Sequence, residues 1–397
     1  MGVAARRIVL LTGEYPPSPG GVGDYTACLA TALVRAGREV HVLTGRGGVG
    51  TAGGAPGATV HRVVADWGPG CWRTVGSALR RLGPAVADLQ YQTGAYQLRG
   101  AVNLLPWRLR RLPVAWVTTF HDLREPYLFP KAGRLRRWAN TRLMHDSAAV
   151  VVTNPQDEAA LPAWARRRAA GIPIGANIAP DPPPGWNRPA WRAAHGIPDG
   201  AVLIAYFGFF NAGKGLDVLL TALADLRRAG GDYRLLLAGG GPGASDPTNA
   251  ATAAALRGQI ADLDLAPVVH WTGYVAAAEV TAALLSADLA ALPFRDGASL
   301  RRGSLLAVLA HGLPVVTTAP APPRAPGWPA LEDGANALLV PPGAAAPLAA
   351  AIRRLAGDAA LRAHLSAGAR DLAAQFDWDR IAAAHLALFD RLAERAP

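Results

Sequence analysis

Short apolar runs alternate with helical patterns along the chain. The first run, at 7–12, is continuously apolar, as a strand buried on both faces would be. A loop rich in Gly and Pro follows it, then a helical pattern over 25–36 and a second predicted strand at 39–44, EVHVLT. This order predicts a strand–helix–strand unit with a glycine loop at the carboxyl end of the first strand.

The same alternation continues to the end of the chain and is interrupted once. Further strands are predicted at 114–120 and 148–153, before the proline-dense stretch APDPPPGWNRP at 179–189, which cannot continue a helix or a strand. A second series follows it, with predicted strands at 202–207, 233–238, 268–271, 289–293 and 314–318. Its predicted helices lie at 216–228, 250–262 and 277–286, within the stretch 293–314 with its start near 301–302, and after 347. The fold class expected is α/β, with two doubly wound, Rossmann-like domains facing each other across a ligand-binding cleft.

Domain boundaries follow from these two series. We predict an N-terminal domain over 1–180, a Pro-rich linker at 181–190 and a C-terminal domain over 191–376. Residues 377–397 form a final helical pattern, for which packing back on the N-terminal domain is one arrangement.

Composition favours an ordinary globular protein. The chain has 397 residues, half of them apolar, which is enough for two cores. Its two cysteines, Cys28 and Cys71, make no disulfide framework and have no metal-ligand spacing, which indicates a reducing compartment. The N-terminal apolar stretch is too short for a signal peptide, and no apolar run is long enough to span a membrane. We therefore expect a cytoplasmic protein.

The net charge of +11 is concentrated in one region. Residues 99–168 hold thirteen basic and five acidic residues, with Arg mixed among Leu and Trp in LLPWRLRRL and KAGRLRRWANTRL. This mixture predicts contact with an anionic membrane surface, at the inner face of the cell membrane. A solvated helix face is the alternative. Nucleic acid is not expected as a partner, because no binding motif accompanies the charge.

Two glycine-rich loops each join a strand to a helix. In GEYPPSPGGVGD, Gly20 and Gly21 come just before a helix, whose first amides and dipole suit a phosphate. A tight turn that needs glycine would look the same. In AYFGFFNAGKGLD, Lys214 is one of only two lysines against 38 arginines, which suggests that a compact ammonium group is required there. A lysine retained by chance is the alternative.

Two further places carry candidate chemistry. His121, beside Asp122, follows a predicted strand and could donate to a sugar or phosphate oxygen, or could simply bond the backbone. The junction PFRDGASLRRGS, at 293–304, places Asp296, Arg301 and Arg302 between a strand and a helix. A guanidinium group there could meet a phosphate in a bidentate manner.

The order of segments resembles that of the retaining GT-B glycosyltransferases of family 4, the glycosyl transferases group 1. The segments that carry the resemblance are TGEYPPSPGGVGDYTACLATALVRAGREVHVLT, FHD, IPIGAN, FGFFNAGKGLDVLLTAL, LLLAGGGPG, VHWTGYVAAAEVTAALLSADLAALP, GLPVVTT and LEDGANALLVPPG. The resemblance implies transfer of a sugar from a nucleotide-sugar donor to a glycan, lipid-linked or other small acceptor. It also implies retained anomeric configuration, no metal and no cofactor.

The resemblance assigns donor-side positions to the C-terminal domain and to the first glycine loop. Gly20 and Gly21 would place backbone N–H groups near the donor phosphates, and Lys214 would bind the diphosphate. Tyr274 and Val275 would lie near the nucleobase.

Catalytic and acceptor-side positions are assigned in the same way. His121 would lie beside the donor sugar and share the catalytic role with Lys214. Asp24 and Asp122 would belong to the acceptor side.

The chain departs from the family pattern at three positions. The family usually has Arg five residues before the loop lysine, where this chain has Phe209. It also has two glutamates eight residues apart, and counting back from Gly312 these positions hold Ser299 and Ala307. One phosphate cation and two carboxylates of the usual donor site are therefore missing.

The junction offers substitutes for the missing groups. We hypothesise that Arg301 or Arg302 replaces the cation lost at Phe209, and that Asp296 and Ser299 bond sugar hydroxyls. The donor-side set predicted at this junction is Asp296, Ser299, Leu300, Arg301, Arg302 and Gly303, with Phe209 in the preceding loop. Two alternatives remain open: a catalytically degenerate partner subunit that binds nucleotide or lipid, and a nucleotide-sugar epimerase of the same architecture.

Overall fold

A computed structural model describes residues 7–18, 20–47, 55–123, 133–208, 210–239, 248–273, 275–320 and 325–394, without the side chains of 133–136 and 248–251. The described residues form two compact units. One runs up to Gly175 and includes the chain from Asp377 onward, and the other is Ala176–Phe376.

Parallel strands form the sheet of the first unit. In its described residues the strands are β1 (Arg7–Thr12), β2 (Glu39–Gly45), β3 (Thr59–Val64), β4 (Val86–Tyr91), β5 (Ala115–Phe120), β6 (Ala149–Val152) and β7 (Ala169–Gly171). Their order across the sheet is β3-β2-β1-β4-β5-β6-β7. The chain leaves β1 in one direction and returns to its other side at β4, so a crevice opens at the carboxyl ends of these two strands.

Helices cover both faces of this sheet. They are α1 (Gly21–Arg35), α2 (Cys71–Leu82), α3 (Leu105–Arg108), α4 (Gly133–Asp146), α5 (Pro155–Ala160) and α6 (Ala163–Arg166). Alternate residues of β1 enter different cores: Val9 and Leu11 pack with α2, whereas Ile8 and Leu10 pack with α1. Burial on both faces explains why the strand is continuously apolar.

The second unit repeats the pattern with a smaller sheet. Its elements are α7 (Arg188–Ala194), β8 (Val202–Phe207), α8 (Leu216–Arg228), β9 (Tyr233–Ala238), α9 (Thr248–Asp262), β10 (Val269–Gly273), α10 (Ala277–Ser286), β11 (Leu289–Leu292), α11 (Gly303–Ala310), β12 (Val315–Thr318), β13 (Leu338–Val340), α12 (Ala345–Gly357) and α13 (Ala359–Ala373). The parallel strands lie in the order β10-β9-β8-β11-β12-β13. Successive strands are added on one side of β8 as far as β10 and then on its other side from β11, so the topological switch point lies between β8 and β11.

The last helix, α14 (Trp378–Ala393), packs in the first unit. Asp377 caps it by accepting a hydrogen bond from the backbone N–H of Asp379 at 2.9 Å. Its buried face places Ile381 and Phe389 in the same core as α1. Burying each of these side chains contributes about 1.5–3 kcal/mol.

Several elements differ from the sequence prediction. Helix α1 begins at Gly21 rather than at 25, and strands β3, β4, β7 and β13 were not predicted. Strand β4 lies in the core, and its Asp88 and Gln90 are fully buried. These two polar residues interrupt the apolar pattern by which a buried strand is recognised in the sequence. The predicted linker at 181–190 lies in the second unit, where Asn187 caps α7 by accepting from the N–H of Ala190 at 3.0 Å.

Candidate functional site

The loops after β8 and β11 meet at the switch point of the second sheet. Gly215, with φ of 69°, precedes α8, and a Cβ atom there would lie 2.0 Å from the carbonyl oxygen of Pro293. The backbone N–H of Arg295 donates to the carbonyl of Gly213 at 3.0 Å. This close approach of the two backbones holds Lys214 beside the junction at 293–304.

Lys214 is half-buried between the two loops. Its Nζ donates to Oγ of Ser304 at 3.1 Å and lies 5.3 Å from the centroid of the Phe294 ring. Desolvation lowers the pKa of Lys214 to about 8; Arg302 acts in the same direction and Asp296 opposes it. The ammonium group is therefore poorly neutralised by the protein itself.

Arg302 brings a second cation to the same aromatic ring. It stands at the N-cap position of α11, with its guanidinium carbon 4.2 Å from the centroid of Phe294. Its guanidinium pairs with the carboxylate of Asp296, and its backbone N–H donates to the carbonyl of Ser299 at 3.0 Å. Two cations and one carboxylate at the start of a helix favour an anion.

The other predicted residues of this junction lie in its turn. Ser299, Leu300 and Arg301 are half-buried, and the N–H of Arg301 is 3.5 Å from Oγ of Ser299. A Cβ atom on Gly303 would lie 2.9 Å from Oδ1 of Asn177, so a side chain there would displace that amide.

The four remaining donor-side positions have different outcomes. Ala307 is fully buried within α11. Val275 is half-buried just after β10. Phe209 and Tyr274 lie outside the described residues.

The glycine loop of the first unit already has an anion at its helix. The carboxylate of Glu14 accepts from the N–H groups of Val22 and Gly23 at 3.0 and 3.4 Å. A Cβ atom on Gly20 would lie 2.2 Å from the Glu14 carboxyl carbon, whereas Gly21 faces open space. The first-turn amides of α1, which were expected near the donor phosphates, thus bind the side chain of Glu14 in this conformation. Burial raises the pKa of Glu14.

His121 lies just after β5 against two side chains of the first unit. Its Nε2 is 2.9 Å from Oε1 of Gln90, and its ring meets the edge of the Tyr25 ring at a centroid distance of 4.6 Å. Desolvation lowers the pKa of His121 to about 3, so the imidazole is neutral at physiological pH. Asp24 and Asp122, expected on the acceptor side, are half-buried in the same unit.

Sequence reasoning missed Ser304, Glu14 and Gln90. Ser304 contacts Lys214 from 90 positions away and Gln90 contacts His121 from 31 positions away, whereas Glu14 bonds amides only eight and nine positions away. The only local signal belonged to Glu14, a carboxylate shortly before a helix N-terminus.

No three His, Cys, Asp or Glu side chains of the described residues converge as a metal-binding group would require. No helix in the described part of the chain has the length and apolar character to cross a membrane.

Solved structures share this architecture over nearly the whole chain. Sucrose-phosphate synthase from Thermosynechococcus elongatus matches with a TM-score of 0.75 at 22% identity, covering 98% of this chain and 99% of that one. Anabaena HepE in complex with UDP-glucose matches with a TM-score of 0.71 at 18% identity, covering 96% and 98%. The two Rossmann-like units therefore have the GT-B fold of glycosyltransferases.

Sequence comparison identifies the family. The model for the glycosyl transferase 4-like domain matches residues 20–177, and the model for glycosyl transferases group 1 matches residues 201–358. The chain belongs to this glycosyltransferase family. A curated relative, the D-inositol 3-phosphate glycosyltransferase of Saccharomonospora viridis, is 32% identical over 212 residues, which are 51% of this chain and 46% of that protein. The chain thus spans about half the length of this relative.

Proposed function

We propose that this protein transfers a sugar from a nucleotide-sugar donor to a glycan, lipid-linked or other small acceptor, with retained anomeric configuration and without a metal ion. The observation that carries the proposal is the convergence of Lys214 and Arg302 on Phe294, at the switch point where α/β sheets bind ligands. Family membership and the UDP-glucose bound to a structural relative support the same donor class.

The two cations stabilise the leaving group. In the reaction, the acceptor oxygen bonds the anomeric carbon, the bond from that carbon to the nucleotide diphosphate breaks, and the acceptor hydroxyl loses its proton. The diphosphate keeps the electron pair, so negative charge grows beside Lys214 and Arg302. A well-placed donor to such charge is worth about 2–4 kcal/mol.

Arg302 takes the place of the arginine that the family pattern has at position 209. Its planar group suits bidentate contact with a phosphate, provided that it exchanges the carboxylate of Asp296 for the ligand. Asp296 is then released to bond a sugar hydroxyl, and Ser299 supplies a second hydroxyl contact. This arrangement compensates for the carboxylate absent at 299, whereas the buried Ala307 offers no side-chain acceptor to the ribose.

Donor turnover by cation variants tests the proposal. We expect Lys214→Ala and Arg302→Ala each to lower nucleotide release from the preferred donor by about a hundredfold or more. Arg295→Ala is the matched control, since Arg295 lies in the same loop but pairs with Asp217 on α8. Arg301→Ala, assayed beside them, shows which arginine holds the donor. Wild-type rates in both Lys214→Ala and Arg302→Ala would contradict the assignment.

A panel of nucleotide sugars, assayed with and without a chelator, tests the reaction class. We expect nucleotide release that depends on acceptor and is unchanged by the chelator, because the cations are supplied by side chains. Conversion of the donor sugar without acceptor would indicate an epimerase. No turnover with any donor would indicate a degenerate partner subunit.

We also propose that the first unit contacts an anionic membrane. Trp107 on α3 and Trp138 on α4 are 38% and 56% exposed. The guanidinium carbons of Arg110 and Arg142 lie 5.3 and 5.9 Å from the Trp107 ring centroid. Exposed Trp beside Arg is the pattern of a surface that enters the headgroup region of an anionic bilayer.

Vesicle sedimentation tests this surface. We expect binding to vesicles of phosphatidylglycerol and phosphatidylcholine, but not of phosphatidylcholine alone, because each basic residue near an anionic surface adds about 1 kcal/mol. The double variant Trp107→Ala, Trp138→Ala should bind several-fold less. Trp271→Ala, which removes a 40% exposed Trp from the second unit, is the control. Equal binding to both vesicle types would contradict the proposal.

A further inference from the structure

Behind His121, five polar side chains of the first unit form a closed ring. They come from four elements: His121 after β5, Gln90 and Asp88 on β4, His385 on α14, and Tyr25 on α1. Asp88, Gln90 and His385 are fully buried and Tyr25 nearly so. Such a set is costly to bury unless its hydrogen bonds are made, so its bonding pattern is restricted.

The pattern begins at Asp88. Oδ2 of Asp88 accepts from Nε2 of Gln90 at 2.7 Å, and Oδ1 accepts from the hydroxyl of Thr119 at 2.9 Å. An ionised carboxylate can only accept, so the NH₂ group of the Gln90 amide has to face it. The amide oxygen of Gln90 is thereby turned to the other side.

That oxygen determines the proton on His121. Oε1 of Gln90 lies 2.9 Å from Nε2 of His121, and a carbonyl oxygen has no hydrogen to donate. Nε2 of His121 must therefore carry the hydrogen. In the neutral ring Nδ1 is then left as a lone-pair acceptor, and no hydrogen-bond partner for it is found among the described residues.

The rest of the ring holds these groups in place. The Tyr25 hydroxyl is 3.0 Å from Nε2 of His385, whose Nδ1 lies 3.8 Å from Oδ2 of Asp88. The Tyr25 ring packs edge-on against His121, which restricts rotation of the imidazole.

We infer that Asp88 and Gln90 are positioning residues, which fix His121 as the Nε2–H tautomer and leave Nδ1 to accept a hydrogen bond from a ligand hydroxyl. The tautomer follows from the geometry alone. The identity of the ligand rests on the proposed function, in which the hydroxyl belongs to the donor sugar. Neither Asp88 nor Gln90 touches substrate, and both act through His121.

Nitrogen-15 NMR of the histidine-labelled full chain tests the tautomer without any substrate. The two ring nitrogens of a neutral histidine differ in shift and in their coupling to the ring carbon-bound protons, and His121→Asn identifies the His121 signals. Burial raises the pKa of Asp88 to about 7, so spectra are recorded at about pH 8, where this carboxyl group is mostly ionised. We expect a single Nε2–H tautomer. A ring protonated at Nδ1, or an even mixture, would overturn the inference.

Two replacements of Gln90 separate positioning from folding. Gln90→Met fills a similar volume without an acceptor and should give a mixture of tautomers. Gln90→Glu shares one proton with Asp88, because two buried carboxylates this close cannot both ionise, so it keeps an acceptor facing Nε2 and should restore the single tautomer. Unchanged signals from the histidines outside this ring show that each variant is folded. An unaltered His121 pattern in Gln90→Met would overturn the role of Gln90.

Turnover separates this inference from the proposed function. We expect Gln90→Met to lower kcat by about tenfold or more, with a smaller change in KM, and Gln90→Glu to recover most of that loss. A shifted tautomer with unaltered turnover would overturn the catalytic half of the inference. If the wild-type chain turns over no donor, the proposed function fails, while the wild-type spectrum still decides the tautomer.

Discussion

At the scale of single residues, the candidate donor site depends on one unusual lysine. Lys214 bonds Ser304 and shares the Phe294 ring with Arg302, so its charge is both desolvated and repelled. A cation held in this way is stabilised by an incoming diphosphate more than an exposed lysine would be. The Lys214 ammonium group is thus positioned and desolvated before the ligand binds.

This environment predicts a dependence of donor use on pH. The pKa of Lys214 is lowered to about 8, so the ammonium form is complete below that pH and is lost as the pH rises through it. We expect kcat/KM for the donor to fall with an apparent pKa of about 8, because this constant reports the free enzyme. Lys214→Arg, whose side chain stays charged, should show no fall in this range. A wild-type profile that stays level up to about pH 10 would contradict the role of Lys214.

At the scale of elements, the site depends on how closely the loops after β8 and β11 approach. Gly215 allows this in two ways, by its positive φ and by the lack of a Cβ atom that would overlap Pro293. Gly230, after α8, has a similar φ of 87° but open space around it. Substitutions at Gly215 and Gly230 therefore distinguish the cost of a positive φ from the cost of forcing the two loops apart.

We expect Gly230→Ala to cost about 1 kcal/mol of stability, from backbone strain alone, and to leave donor turnover unchanged. Gly215→Ala should cost more and should raise the donor KM, because the two loops have to move apart. Urea unfolding and initial rates measure the two effects. Equal losses of stability in both variants, with normal turnover, would show that the contact with Pro293 does not matter.

At the scale of the whole molecule, the first unit is discontinuous in sequence. Helix α14 supplies Phe389 to its core and His385 to the ring behind His121, and Asp390 pairs with Arg38 at 2.7 Å. The end of the chain therefore completes the unit that the beginning of the chain starts.

This arrangement predicts that removing 377–397 damages the first unit and spares the second. We expect hydrogen exchange to accelerate in α1 and β1, whose apolar residues pack on α14, while β8 and β9 keep their protection. A point variant provides the control: Phe389→Ala, which loses about 3–5 kcal/mol of core packing, should accelerate exchange in the same segments to a lesser degree. Equal acceleration in both units would contradict this assignment.

Much of the fold could be predicted from local patterns. Runs rich in apolar residues identify β1, β2, β8 and β9, because strands buried on both faces are mostly apolar, although β2 also holds Glu39 and His41 and β9 holds Arg234. Strand β4 could not be found in this way, since its buried Asp88 and Gln90 bond each other and also Thr119 and His121, which lie in and just after the neighbouring strand β5. Helix α1 began earlier than predicted because Glu14 supplies acceptors for its first amides.

For the candidate site, too, some features follow from local sequence and others only from the fold. The sequence by itself determined the two α/β series, the family resemblance, the loop positions of Lys214 and His121, and the absence of glutamate at 299 and 307, since these depend on residue type and spacing. Only the tertiary structure decided that Arg302 shares Phe294 with Lys214, that Glu14 occupies the first-turn amides of α1, and that Gln90 faces His121. The contacts of Arg302 and Gln90 depend on where the packing of whole elements brings a side chain, which no local pattern of residues specifies. At Glu14 the sequence offered only a carboxylate shortly before a helix, and the fold decided that it turns back onto the first-turn amides.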